Sequence, residues 1–193
     1  MDGAKYIGQF SNGEKCGFGH FFWPDGSNYE GLFFKNLIHG KGCYKWSDYR
    51  IYTGDWANNK MLGFGIFLWP DGKKYEGNYK DDKKEGYGIY RWNKNKFYDG
   101  QWENGKRNGV GTLFSGKKTK KGIWTDGKLT KDFNKNDTYS EDYQSKGYSC
   151  DYQSVLLKKS SANLISPNMK NFSSKNIILG TKYKSNMTIK TLK

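Results

Sequence analysis

Four side chains with metal-binding chemistry stand early in the chain: Cys16 and His39 are 23 residues apart, and so are His20 and Cys43. Two thiolates and two imidazoles make a structural zinc set when all four lie ~2.0–2.3 Å from one ion. On hairpins of that period, equivalent strands lie ~9–10 Å apart and positions four along a strand ~13 Å apart. The four therefore read as variable positions of a repeat, and no metal is expected. Cys150 makes the cysteine number odd, the pattern of reduced thiols rather than of a disulfide framework.

Other catalytic or cofactor signals stop short. Gly111-Thr-Leu-Phe-Ser-Gly116-Lys117-Lys118 comes close to a phosphate-binding loop, but Lys118 stands where Ser or Thr would hold Mg²⁺ and no helix-forming run follows. The Gly-x-Gly pairs lack the third glycine and the helix of a dinucleotide site. Glu30, Glu76 and Asp99 form a carboxylate column broken by Ile7 and Thr53, as expected of a solvated face that discourages edge-to-edge pairing. No Ser/His/acid or Cys/His set falls within one repeat. The expectation is no enzyme activity and no cofactor.

Composition narrows the class further. The 193 residues carry 33 Lys or Arg against 19 Asp or Glu, with 25 Gly and 18% aromatics. So much glycine with so little alanine excludes a helical bundle. No apolar run approaches the ~20 residues that span a bilayer, and the first residues show no basic start and apolar stretch of a secretory signal. The positive charge is spread along the chain with acids interleaved, and the aromatics are taken up by the repeat, so nucleic acid is not expected as a partner. An anionic membrane surface is the better electrostatic candidate.

The elements that position these residues follow from a strict internal period. Tyr6, Tyr29, Tyr52, Tyr75 and Tyr98 are 23 residues apart, each followed at +2 by Gly8, Gly31, Gly54, Gly77 or Gly100. At +4 come Phe10, Phe33, Trp56, Tyr79 and Trp102, then the Gly-x-Gly pairs that begin at Gly17, Gly40, Gly63, Gly86 and Gly109. Trp23, Trp46, Trp69 and Trp92 close four units, and a sixth begins one residue early at Lys121-Gly-Ile-Trp124 and stops. In Tyr75–Tyr79 the aromatics and glycine share one parity and the polar residues the other, which is strand alternation. Lys80–Lys84 reads as a polar loop, Gly86–Trp92 as the return strand, and Pro70-Asp71-Gly72 as a turn. A glycine column inside strands implies a group lying close above the backbone, and aromatic rings from neighbouring strands supply it.

The fold class predicted is all-β: an elongated, single-layer antiparallel meander of repeated β-hairpins over residues 2–124, with about ten to twelve strands. Residues 125–193 hold 12 of the bases and 6 of the acids and read as a polar, basic, mostly irregular tail, with at most a short helix near Tyr152–Ile165. This tail is expected to fold back on the open sheet edge or to bind a partner, because repeat arrays need caps.

Tyr-x-Gly-x-Trp/Phe, Gly-x-Gly and Asp-Gly at a 23-residue step resemble the MORN repeat (membrane occupation and recognition nexus), over about residues 2–124. The resemblance implies an elongated single-layer sheet. Such repeats occur in junctophilins, plant phosphatidylinositol phosphate kinases, radial-spoke head proteins and cytoskeletal proteins of protists. It implies a cytoplasmic scaffold at the cytoskeleton, a cilium or a membrane-associated cortex. The turns at Asp48-Tyr49 and Lys94-Asn95 depart from the family's Asp-Gly.

Two partner surfaces are expected. On the return strands the parity opposite the glycine pair is largely apolar, with Phe18, Phe22, Phe64, Ile66, Leu68, Tyr87 and Ile89, a strip suited to an extended or amphipathic peptide. The alternative is peripheral binding to anionic phospholipid through Lys73, Lys74, Lys83 and Lys84, or a regulatory module resembling that of phosphatidylinositol phosphate kinases.

Overall fold

The computed structural model describes residues 3–133. They form one open antiparallel sheet of twelve strands in chain order. These are β1 (Lys5–Ser11), β2 (Glu14–Phe22), β3 (Asn28–Phe34), β4 (Leu37–Lys45), β5 (Ile51–Ala57) and β6 (Lys60–Leu68). β7 (Lys74–Lys80), β8 (Lys83–Asn93), β9 (Lys96–Glu103), β10 (Lys106–Ser115), β11 (Lys118–Thr125) and β12 (Lys128–Asp132) complete it. The single-layer meander expected from the 23-residue period is present. The helix expected near Tyr152–Ile165 lies outside the described residues.

Glycine sets the register. Gly8 pairs with Gly19, Gly19 with Gly31, Gly31 with Gly42, and the ladder continues without a break to Gly111 and Gly122 on β11. Each repeat tyrosine folds its ring back over this ladder. A Cβ placed on Gly54 would stand 2.5 Å from the Tyr52 hydroxyl and 2.6 Å from the Gly65 Cα. Tyr6, Tyr29, Tyr52, Tyr75 and Tyr98 are in consequence fully buried although the sheet has only one layer.

The first glycine of each Gly-x-Gly pair has a different task. Gly63 takes φ +65° where the pairing of β5 with β6 slips between Gly54 and Trp56. This bulge leaves the Asp55 carbonyl to accept a bond from the Tyr52 hydroxyl at 3.0 Å. The same bond, from tyrosine to the carbonyl three residues on, recurs in all five units at 3.0–3.1 Å. A buried phenol needs such a partner.

Ring contacts couple the units. Tyr52 meets Trp56 of its own unit at 5.0 Å and Tyr79 of the next at 5.2 Å, both edge to face. Tyr29 is held in the same way by Phe33 and Trp56, and Tyr75 by Tyr79 and Trp102. Each such pair adds about 0.5–1.5 kcal/mol beyond the area it buries. Backbone bonds repeat the coupling: Asn59 N–H donates to the Ile38 carbonyl at 2.9 Å, and Ile38 N–H donates back to the Asn59 Oδ1 at 2.8 Å.

Two local expectations are corrected. The polar loop read at Lys80–Lys84 is a two-residue turn: Asp81 and Asp82 take φ of 48° and 65°, so Lys83 and Lys84 already belong to β8. Positive φ at both central positions matches the twist of the flanking strands, and Asp and Asn tolerate it. The sheet also runs past Thr125. β11 and β12 complete a sixth hairpin around Asp126-Gly127, closed by Gly127 N–H donating to the Arg107 carbonyl and by Leu129 paired beside buried Trp124. The departure at Asp48-Tyr49 keeps the turn, with Tyr49 N–H on the Trp46 carbonyl, but it forces Tyr49 to φ +68°.

Gly54→Ala is therefore expected to lower unfolding stability by about 3 kcal/mol, the upper range for overpacking against atoms that cannot move. Tyr49→Gly is expected to raise it by about 1 kcal/mol by relieving a left-handed residue. Urea titration of both variants checks the pair; an Ala at position 54 that leaves the midpoint unchanged would refute the packed ladder.

Candidate functional site: the two faces of the sheet

The expected apolar strip lies on the face away from the tyrosines, but the register interrupts it. Ile66 sits between Thr53 and Glu76, and Ile89 between Glu76 and Asp99. Phe64 pairs with Asn78, and Leu68 stands between Ile51 and Lys74. Phe22 is flanked by Lys5 and Asn28, and the Tyr87 hydroxyl donates to the Asp99 carboxylate. Antiparallel strands alternate the two halves of each repeat, so polar β7 and β9 lie between apolar β6, β8 and β10.

Apart from Tyr49 in its turn and Leu62 and Leu68 on β6, the exposed large apolar side chains gather at the N-terminal end. Phe18 is 54% exposed and pairs with Leu32, 42% exposed; Phe34 on β3 and Ile7 on β1 extend the same face. Reading along the return strands alone passes over Leu32, Phe34 and Ile7. Comparison down the columns finds them: Leu32 stands where other units have Gln9, Asp55, Asn78 and Gln101, and Phe34 where they have Ser11, Ala57, Lys80 and Glu103.

The four lysines named for a membrane do not form one surface. Lys73 pairs with Asp71 at 2.6 Å, which holds its ammonium above the usual lysine range, and Lys74 pairs with Glu76 at 3.0 Å. Lys83 is exposed beside the β7–β8 turn. Lys84 lies on the tyrosine face, its Nζ 5.1 Å from the Trp102 ring, 5.4 Å from Tyr90, 5.6 Å from Tyr75 and 5.9 Å from Trp69. Burial beneath these rings pushes its ammonium below the ordinary lysine range.

The cysteine and histidine columns are separated as well, since Glu30 stands between His20 and Cys43 across the sheet. Among the described residues no group of three or more His, Cys, Asp and Glu is arranged to hold a metal. No helix of the described residues is long and apolar enough to cross a membrane.

Comparison with known families decides the class. Residues 6–28, 29–49, 52–74, 75–96 and 98–118 each match the MORN repeat model. The chain belongs to the MORN-repeat family. A search of curated proteins gives no match.

Within the MORN array, the second position after each hairpin turn faces the rings and varies between units: Lys15, Ile38, Met61, Lys84 and Arg107. Lys15 Nζ stands 5.1 Å from the Phe21 ring, and the Arg107 guanidinium 4.3 Å from Trp124. Three of the five units thus roof their aromatic slot with a cation of their own, an arrangement favoured by the negative face of the ring.

Titration of this face has a definite sign. Burial pushes the phenols of Tyr29, Tyr52, Tyr75 and Tyr98 well above 10. Below the unfolded tyrosine value of about 10 their contribution is fully present. Above it, the unfolded chain releases protons that the folded MORN sheet retains. Each such tyrosine then lowers stability by about 1.4 kcal/mol per pH unit. Lys84 acts oppositely, since its depressed ammonium makes folding easier as pH rises toward the free lysine value, but the raised phenols, Tyr79 among them, outnumber it. The urea midpoint is expected to show no tyrosine-linked loss between about pH 7 and 9 and a steep fall beyond about pH 10. Tyrosinate absorbance of the repeat tyrosines should emerge only with unfolding. Full ionisation in a still-folded chain would contradict their burial.

Proposed function

We propose that this MORN-repeat chain is a non-catalytic scaffold that docks a partner protein along its sheet. The observation that carries this reading is the exposed apolar group of Phe18, Leu32, Phe34 and Ile7 on the face away from the tyrosines. Contiguous apolar exposure on a face that elsewhere interleaves charges marks a partner surface. Leu32 and Phe34, two apart on one strand, with Phe18 beside them, suit an extended or amphipathic peptide lying over β2 and β3. Exposed Leu68 and half-buried Phe64, Ile66, Tyr87 and Ile89 continue the face between polar neighbours. The setting that accompanies the reading is the cytoskeleton, a cilium or a membrane-associated cortex.

A second reading, peripheral binding of anionic phospholipid, draws support from another place than Lys73, Lys74, Lys83 and Lys84. Lys117, Lys118, Lys120, Lys128 and Lys131 are exposed around the last two strands. They concentrate positive charge at one end of the sheet, which attracts anionic headgroups within a Debye length.

Capture from cell extract at low and high salt, followed by titration of each retained protein in purified form, tests the choice. Docking predicts partners that survive high salt and bind Phe18→Asp/Leu32→Asp at least about ten-fold more weakly, with a smaller loss for Phe64→Asp/Leu68→Asp. If both variants keep every partner and salt strips them all, docking is wrong. In that case Lys118→Glu/Lys120→Glu should abolish binding to phosphatidylserine vesicles.

A further inference from the structure

On the tyrosine face, a cleft of about 400 Å³ opens where two successive units carry no cation at the second position after the turn; Arg50, paired with Asp48, reaches only the Trp46 ring, at 5.2 Å. Its floor is Ile38 and Met61, both buried, at the positions that hold Lys84 and Arg107 in later units. Trp23, Tyr44 and Trp56 surround Ile38 as Trp69, Tyr90 and Trp102 surround Lys84 two repeats on. The slot is well formed: Tyr44 lies 5.0 Å from Trp23, 4.5 Å from Trp46 and 6.0 Å from Trp56. What differs is the occupant. Ile38 and Met61 are uncharged, and the half-buried rings of Trp23, Tyr44 and Trp46 border the open space above them.

Charge points the same way. Asp82 lines the cleft, with one carboxylate oxygen accepting from Met61 N–H at 2.8 Å, and it makes no ion pair among the described residues. The corresponding residue beside Ile38 is neutral Asn59 and beside Lys84 is Gly105. At this position of the repeat a carboxylate therefore stands beside Met61, at one end of the cleft. Aromatic faces and an unpaired carboxylate together select a cation.

We propose that this cleft binds a lysine or arginine side chain of a partner polypeptide, in the pose that Lys84 and Arg107 adopt within the chain itself. The cleft crosses two repeats, more than a lone ammonium fills, and it is lined by Trp23 and Trp46, the first two of a row of half-buried indoles that Trp69 and Trp92 continue. A peptide along that row would present one cationic side chain to the slot and rest its neighbours on the indoles. This site lies on the face opposite Phe18 and Leu32, so it stands or falls independently of the docking surface above.

The test is a titration of the full chain, followed by the indole N–H resonances of Trp23, Trp46 and Trp56. The probes are the blocked peptides Gly-Lys-Gly and Gly-Arg-Gly, with Gly-norleucine-Gly as the neutral isostere and phosphocholine as the lipid-headgroup arm. The cationic peptides are expected to shift these indoles at millimolar concentration and the norleucine peptide to leave them unmoved. Asp82→Asn should weaken binding roughly five-fold, the size of a partly exposed charge pair. Ile38→Lys should fill the slot as Lys84 does and abolish it. If that variant does not fold, Lys84→Met decides: it should open a second slot, with new shifts at Trp69 and Trp102. Equal shifts from norleucine, tighter binding of phosphocholine than of either peptide, or no new shifts in Lys84→Met would each overturn the proposal.

Discussion

Everything in this sheet depends on the absence of a Cβ along one line. The glycine ladder from Gly8 to Gly122 lets a tyrosine ring lie against the backbone itself, close enough that a methyl group has no room. A single-layer sheet ordinarily has no second surface on which to bury an apolar face. Here the rings return over their own strands and the backbone serves as the opposite wall of the core. The bulge at each first glycine then frees a carbonyl for the phenol, so the burial of five hydroxyl groups leaves none unsatisfied.

Once the tyrosines are fixed in this way, the two faces separate in chemistry. The ring face is closed by contacts between adjacent units, and the one position per unit that looks onto it decides whether the slot is filled. The other face carries no ring column, which leaves its residues freer to differ between units, although Gln9 and Gln101 there accept the Phe18 and Val110 N–H groups. That freedom is why Leu32 and Phe34 stand out against the polar residues in their columns, and why Glu76 and Asp99 separate the apolar side chains of neighbouring strands.

The period, the strands and the tight glycine column were legible in the sequence, because they rest on spacing and on the steric meaning of glycine inside a strand. Three things were not. Asp81-Asp82 reads as part of a solvated loop, since nothing but the backbone geometry tells that two acids take up the left-handed conformation. Once that loop contracts to two residues, the parity of Lys84 is fixed and its side chain belongs under the rings rather than at a membrane. The sixth hairpin was hidden because Lys128–Asp132 carries a single apolar residue, Leu129, and its place is set by Trp124 and by the hydrogen bonds of the strand before it. The interruption of the apolar strip follows from pairing, which a strand-by-strand reading does not reveal.

The meander order carries a mechanical consequence. Among the described residues, each strand is bonded only to the strands before and after it in the chain. Tension applied between the first and last strands would load the outermost strand in a peeling geometry, where hydrogen bonds break in succession rather than together. The sheet would then lengthen in steps of one hairpin, each at modest force, while the units further in stay folded. Such an element acts as an extensible link that gives way gradually and re-forms from its remaining end.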